Sequence, residues 1–329
     1  MSMSVRLSII GACSLLFVFL WNERPVSHPT LILCDVGQGD AILLIDGSWQ
    51  MLVDAGPDSS VLSCLGKHLP FWDRQIELVV ATHPDSDHIG GLQEVLARFT
   101  TPVLMMEWLD KETTEFEALK RSISSKAQSK QLQLLTPAPG MELQTPSKFV
   151  ITVLWPDQAQ RPPPGDFQAK TETQLWDKNQ EKRTKTSSEI KYNDRSIVLL
   201  LHLMATRVLL TGDLESAGEQ ALLKQSLTEP VDILKVGHHG SKTSTSQSFL
   251  DTFKPETSLI SVGKNNRYGH PSPEVLERLS AAHTRVYSTA ESGDIVITFF
   301  KDHYAVTDKQ QASSSLNSHE LIGMLSMSQ

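Results

Sequence analysis

The chain reads as a mixed α/β (α+β) protein of four layers, αββα: two sheets packed face to face, with helices on their outer sides. Two observations predict this. From residue 30 onward, short apolar runs broken by Gly, Asp and Pro recur as strands are expected to. Segments of helical spacing alternate with groups of those runs in both halves of the chain, and little helix interrupts the sheets.

Each element has its own signal. LILCDV, AILLID and QMLVDAG are three closely spaced strands, and the GQGD between the first two has the composition of a hairpin turn. IELVVA is a strand and GLQEVLARF a helix. Residues 110–148 are polar with scattered helix formers. SIVLLLHLM and RVLLTGD form the next strand pair, AGEQALLKQSL has helical spacing, and VDILKVG reads as a buried strand. SQSFLDTF is a short helix with a Ser cap, and TSLISVG a strand. SPEVLERLSAA starts with Ser272 at the N-cap and Pro273 at the first helical position, as helix starts prefer. TRVYST and DIVITFF complete the set. Residues 26–308 are thus expected to form the main domain. Within it, residues 157–192, Pro-rich and then charged without periodicity, are expected to be a mobile polar insertion. Residues 309–329 read as a loose tail.

A net charge of −8 argues against a broad basic track for nucleic acid, although a local metal site can still hold a phosphate. Few aromatics interleave with basic residues, so no stacking track for single strands is visible. Cys13, Cys34 and Cys64 fall short of a disulfide framework or a Cys-type zinc site. Residues 1–25 read as an apolar signal or anchor segment. Their uncharged core, LSIIGACSLLFVFLW, follows Arg6 and is shorter than the roughly 20 residues a spanning helix needs. This reading places the rest of the chain outside the cytoplasm, membrane-anchored or secreted; a buried N-terminal helix is the alternative.

The richest stretch is THPDSDHIGG, residues 82–91. Asp85 and Asp87, flanked by His83 and His88, would repel each other unless a cation sits among them. On extended chain His83 and Asp85 face the same way, while Asp87 and His88 follow a turn and can address a second ion. Asp54 in LVDAG, Asp213 in LLTGD and the pair His238 and His239 in VGHHGS all stand where an apolar strand stops. An α/β scaffold exposes its site there. Alone, Asp213 reads equally as a turn or helix cap, and the His pair as a surface pair. The 83–88 cluster does not reduce to caps.

THPDSDHIGG resembles the His-x-His-x-Asp-His-x-Gly-Gly motif of the metallo-β-lactamase superfamily, and LVDAG, TGD and GHHG match its other strand-end motifs in order. More narrowly, LILCDVGQGDAILL, NDRSIVLLL, LKVGHHGSKTSTS and SVGKNNRYGHPSPEVLERL resemble the hydrolase domain of ComEC-type competence proteins. The resemblance implies an αββα metallo-β-lactamase sandwich with two divalent metal ions, and a nuclease role in DNA uptake. It implies that His83 and Asp85 hold one ion and Asp87 and His88 the other, with Asp213 bridging. One of His238 and His239 completes the second ion, and Asp54 orients the HPDSDH loop.

Three departures stand beside the resemblance. Asp85 replaces a second His, and no His occupies the third motif. His202 reads as a strand residue, which leaves Asn193 or Asp194 in NDRS as substitutes or the first ion weakly held. An oxygen-richer site makes Mn²⁺ as suitable as Zn²⁺. Finally, one apolar segment and no multi-span channel precedes the domain, so transport is not expected of this chain unless it is a fragment or works with a separate channel protein.

The expected chemistry is attack of an activated water on a phosphodiester, DNA or an envelope polymer. Asp87 would shuttle the proton, His270 would protonate the leaving oxygen, Lys235 would offset phosphate charge, and Ser241 would bind phosphate oxygens. The alternatives are an ester or lactam substrate, or a catalytically silent metal-binding subunit of an uptake complex.

Overall fold

A computed structural model describes residues 28–107, 113–156, 192–225 and 229–308. The apolar segment 1–25, nearly all of the 157–192 insertion and the 309–329 tail lie outside the described residues. No helix among the described residues is long and apolar enough to cross a membrane.

The first sheet has eight strands. They are β1 (Thr30–Leu33), β2 (Ile42–Asp46), β3 (Trp49–Val53), β4 (Leu78–Ala81), β5 (Val103–Met106), β6 (Gln133–Leu135), β14 (Ile295–Phe299) and β15 (Tyr304–Thr307). They lie in the order β15-β14-β1-β2-β3-β4-β5-β6. The second sheet runs in the order β13-β12-β11-β10-β9-β8-β7. Its members are β7 (Glu142–Gln144), β8 (Val150–Trp155), β9 (Val198–Leu203), β10 (Thr206–Leu210), β11 (Ile233–Lys235), β12 (Thr257–Ile260) and β13 (Arg285–Ser288). Each sheet starts antiparallel and turns parallel: β3 to β6 in the first, β10 to β13 in the second.

The helices are α1 (Ser60–His68), α2 (Ser86–Ile89), α3 (Leu92–Arg98), α4 (Thr114–Gln128), α5 (Ser216–Leu223), α6 (Gln247–Phe253), α7 (Pro273–Ala281) and α8 (Thr289–Ser292). Three apolar layers show how they stack. Leu31, Leu33, Leu199, Leu201 and Leu210 meet between the sheets. Ile32, Leu43 and Val79 instead face Val61, Leu65, Val95 and Phe116 of α1, α3 and α4. Val198, Leu200 and Leu234 face Leu222, Phe249, Phe253 and Val275 of α5, α6 and α7. Successive strand residues therefore serve opposite layers, both apolar, which is why LIL and VLLL run unbroken instead of alternating with polar residues. The four-layer αββα arrangement is the one the sequence predicts.

Local signals match. The Ser246 and Ser272 hydroxyls accept from the Phe249 and Val275 amides at the starts of α6 and α7. The polar stretch 110–148 holds α4, capped by Thr113, and the short strands β6 and β7.

The cysteines depart from expectation. Cys34 and Cys64 form a disulfide, with Cα atoms 5.8 Å apart, joining the end of β1 to α1 beneath the outer helices. Thirty residues separate them, and only the packing of α1 over β1 brings them together.

Candidate metal centre

The C-terminal ends of the parallel strands β3–β4 and β10–β11 open toward the same region, and the residues that follow them build the site. After β4 come Thr82 and His83, then α2 with Asp87 and His88. After β10 comes Asp213. After β11, His238 and His239 sit in a tight turn with left-handed backbone, φ 48° and 54°. Such a conformation costs a non-glycine residue about 1 kcal/mol or more, and here it turns two adjacent imidazoles toward one carboxylate.

That carboxylate is Asp213. His88 Nε2 lies 3.2 Å from its Oδ1, while its Oδ2 has His239 Nε2 at 3.5 Å and His83 Nε2 and His238 Nε2 each at 3.9 Å. Asp85 Oδ2 is 3.6 Å from His83 Nε2, and Asp87 Oδ2 is 3.3 Å from His239 Nε2. All seven residues the sequence nominates as ligands are thus assembled around one shared carboxylate. Asp85 and Asp87 keep about 30% of their side chains exposed and mark the mouth.

The imidazoles are aimed by their rear nitrogens. His88 Nδ1 meets Asp54 Oδ2 at 2.7 Å, and Asp54 also accepts from the Thr82 amide and hydroxyl. Asp54 therefore ties the HPDSDH loop to β3 and fixes one histidine in it. His239 Nδ1 meets the Ser261 carbonyl at 2.9 Å, and His238 Nδ1 meets Glu215 Oε1 at 3.2 Å. His83 Nδ1 lies 3.1 Å from the Thr82 hydroxyl and 3.3 Å from that of Ser196.

The paired glycines after His88 are needed for close packing. A Cβ on Gly90 would lie 2.0 Å from the Pro57 carbonyl oxygen, and one on Gly91 would lie 2.2 Å from that of Ala55.

One central residue escaped the sequence reading. Asp40, in GQGD, is buried with His88, Asp213 and His239; one ligand atom from each lies within 4.8 Å of the others. The Asp40 amide donates to the Asp87 carbonyl, and the Asp40 carbonyl accepts from Gly56, so its backbone is stitched to the same loop. The GQGD segment looks like an ordinary turn. The available signal was an acid placed between two fully apolar strands.

The other nominated residues sit nearby in different roles. Lys235 is fully buried; its ammonium pairs with Asp40, donates to the Gly212 carbonyl at 3.0 Å and lies 3.7 Å from Asp213. It underlies the site instead of facing its mouth. Asn193 Nδ2 is 3.4 Å from His238 Nε2, whereas Asp194 Oδ1 accepts from the Gly218 amide in α5. Of the two substitutes for the missing histidine, Asn193 is the one beside an imidazole. His202 lies in β9, 3.2 Å from Glu229. The buried Ser241 hydroxyl pairs with that of Thr243. His270 lies 5.7 Å from His238, ring to ring.

Charge in the site is mutually compensating. Burial would raise the Asp213 carboxyl, but His239 and His88 outweigh it and hold it well below the usual range. Burial acts likewise on Asp40, where Lys235 and His239 win and lower it. Burial would lower the imidazoles, yet Asp213 and Asp54 raise His88 well above 6.5, and Asp213 with Asp40 raises His239 to about 9. Burial and the neighbouring His238 and His239 lower His270.

The donors fit a divalent cation. His83 Nε2, His88 Nε2, His239 Nε2 and Asp213 Oδ1 are all buried and, among the described residues, meet only the other charged groups of this cluster. Folded proteins rarely leave such atoms unsatisfied, and here four converge. Imidazole with carboxylate suits Zn²⁺ and, as the oxygen share grows, Mn²⁺.

Comparison with known proteins agrees. The chain is 28% identical over 302 residues to ComE operon protein 3 of Bacillus subtilis, covering 86% of this chain and 34% of that protein. It is 28% identical over 313 residues to Recombination protein 2 of Haemophilus influenzae, covering 94% and 33%. Over 112 residues it is 36% identical to Competence protein ComA of Neisseria gonorrhoeae, covering 34% and 16%. The chain spans about a third of the length of the first two relatives. A family model described as the metallo-beta-lactamase superfamily matches residues 34–264. With the two sheets and the His–Asp cluster at their strand ends, this places the chain in the metallo-beta-lactamase superfamily.

Proposed function

We propose that the chain is a dinuclear, metal-dependent phosphodiesterase that cuts DNA outside the cytoplasm in a DNA-uptake role. The observation that carries the metal part is the convergence of three buried imidazole nitrogens, Nε2 of His83, His88 and His239, on the buried Asp213 carboxylate. His83 and Asp85 would hold one ion and Asp87, His88 and His239 the other, with Asp213 shared; the donors suit Zn²⁺ or Mn²⁺. Of the two adjacent histidines, His239 is the buried one between Asp87 and Asp213, and this favours it as ligand. Bound ions of this kind acidify a water and neutralise charge on phosphoryl oxygens.

The chain's own residues do the rest. Asp54 fixes the His88 tautomer, so Nε2 always faces inward. Lys235 neutralises Asp40 beneath the site and keeps the buried carboxylates together. Asp87, at the mouth, would accept a proton from the attacking water. His270, flanking His238, would give one to the leaving oxygen.

Similarity to a competence protein supports DNA as substrate. The Cys34–Cys64 disulfide supports an oxidising, extracytoplasmic location, since disulfides persist there. The 1–25 segment would supply the signal or anchor.

Cleavage of single- and double-stranded DNA and of bis-p-nitrophenyl phosphate by the full chain with Mn²⁺ or Zn²⁺ tests this, with Asp87→Ala as control. Metal-dependent cleavage lost in the variant is expected. Two bound ions without cleavage of any diester would point to an ester or lactam substrate, and no cleavage with one bound ion or none to a silent subunit.

A further inference from the structure

We propose that the loop carrying Arg267, Tyr268 and His270 is a stacking platform for a nucleobase of single-stranded DNA, beside the phosphodiester held at Asp213. The proposal rests on the phosphodiesterase reading above.

The loop joins β12 to α7 and reads SVGKNNRYGHP. It carries Lys264 and Arg267 and no acid, on a chain whose net charge is −8. Both basic side chains are exposed. Tyr268 is 57% exposed, one of few large hydrophobic side chains so presented among the described residues. Scattered exposed aromatics need no explanation in themselves. This one is held in place.

Asn266 braces the loop from within. Its amide donates to the carbonyls of Gly263 at 2.9 Å and His270 at 2.7 Å, and its oxygen accepts from the amides of Tyr268 at 3.1 Å and His270 at 3.0 Å. The Tyr268 ring lies 5.8 Å from that of His270, inclined by 25°. The Arg267 guanidinium lies over the tyrosine ring, 5.6 Å from its centroid. His270 in turn lies 5.7 Å from His238, whose Nε2 is 3.9 Å from Asp213.

From His238, beside the shared carboxylate, two ring-to-ring steps thus lead to an exposed tyrosine with a cation over its ring. A nucleotide presents the same sequence of features, an anionic phosphate followed by a flat base. Bases of any identity stack on such a face, and the pre-ordered loop lowers the entropy of engaging one. In a duplex the base faces are already covered by their neighbours, so the platform selects single strands or frayed ends. The sequence showed no interleaved track of aromatics and cations because one tyrosine, placed by folding beside the site, makes the platform.

The test uses the full chain and a short single-stranded oligonucleotide carrying 2-aminopurine, with a matched oligonucleotide lacking that base. Wild type should quench the 2-aminopurine fluorescence and bind the base-bearing strand roughly 5- to 100-fold more tightly than the abasic one. Tyr268→Ala should lose the quenching and most of that preference, and Tyr268→Phe should keep both. Equal binding, quenching and cleavage by wild type and Tyr268→Ala would overturn the platform while leaving the phosphodiesterase reading in place. Failure of both chains to bind or cleave any DNA would remove the two together.

Discussion

The His88 ring spans two carboxylates: Nδ1 lies 2.7 Å from Asp54, and Nε2 lies 3.2 Å from Asp213. Among the described residues, the other side-chain hydrogen bonds of Asp54 come from the amide and hydroxyl of Thr82. It is a positioning residue.

Asp54→Asn should therefore fold but bind metal less well. Asp54 has φ 60°, a conformation asparagine tolerates, and the amide oxygen can still accept from Thr82. Its NH₂ group cannot accept from His88 Nδ1. An affinity loss of about 10- to 100-fold is expected, measured by chelator competition. Unchanged affinity would show that the rear hydrogen bond does not aim the ring.

Lys235→Met should destabilise the metal-free chain by about 3–5 kcal/mol, because Asp40 would be left buried without its cation. Adding Asp40→Asn should recover part of the loss. Urea unfolding of the single and double variants measures the coupling, and additive losses would mean that the pair does not act as a unit.

Reduction of the Cys34–Cys64 bond should lower stability by about 3–4 kcal/mol on the loop-entropy account, given the 30-residue separation. The comparison is the urea midpoint with and without dithiothreitol. An unchanged midpoint would show that packing of α1 on β1 suffices.

Asp294 should make the fold acid-sensitive. Burial would raise its carboxyl, but hydrogen bonds from His68, Lys67 and the Asp35 amide outweigh burial and hold it well below the ordinary 3.8. A carboxyl lowered in the folded state adds stability above its unfolded pKa and loses it as pH falls toward the folded one. The difference in urea midpoint between wild type and Asp294→Asn should be full above about pH 5 and shrink below pH 4. A constant difference would contradict the linkage.

The layers were legible because both faces of each central strand are covered, which leaves unbroken apolar runs such as LLL at 199–201. Helix starts at Ser246 and Ser272 were legible because capping is local. So was the THPDSDHIGG cluster, where crowded like charges demand a cation. Asp40 was not: it precedes His88 by 48 residues and reaches it only because β2 lies beside β3, which leads to β4 in the sheet. The Cys34–Cys64 pair needed the packing of α1. Lys235 was recognised as a charge near the site, but its complete burial depends on the opposing sheet.

Counting the divalent ions bound per chain, in wild type and in Asp213→Asn, addresses the centre most directly. Elemental analysis after equilibration with Mn²⁺ or Zn²⁺ should find two in wild type and fewer than two in the variant, with the circular dichroism of both chains alike. A wild-type count of one or none, or two ions retained by Asp213→Asn, would contradict a dinuclear site built on that shared carboxylate.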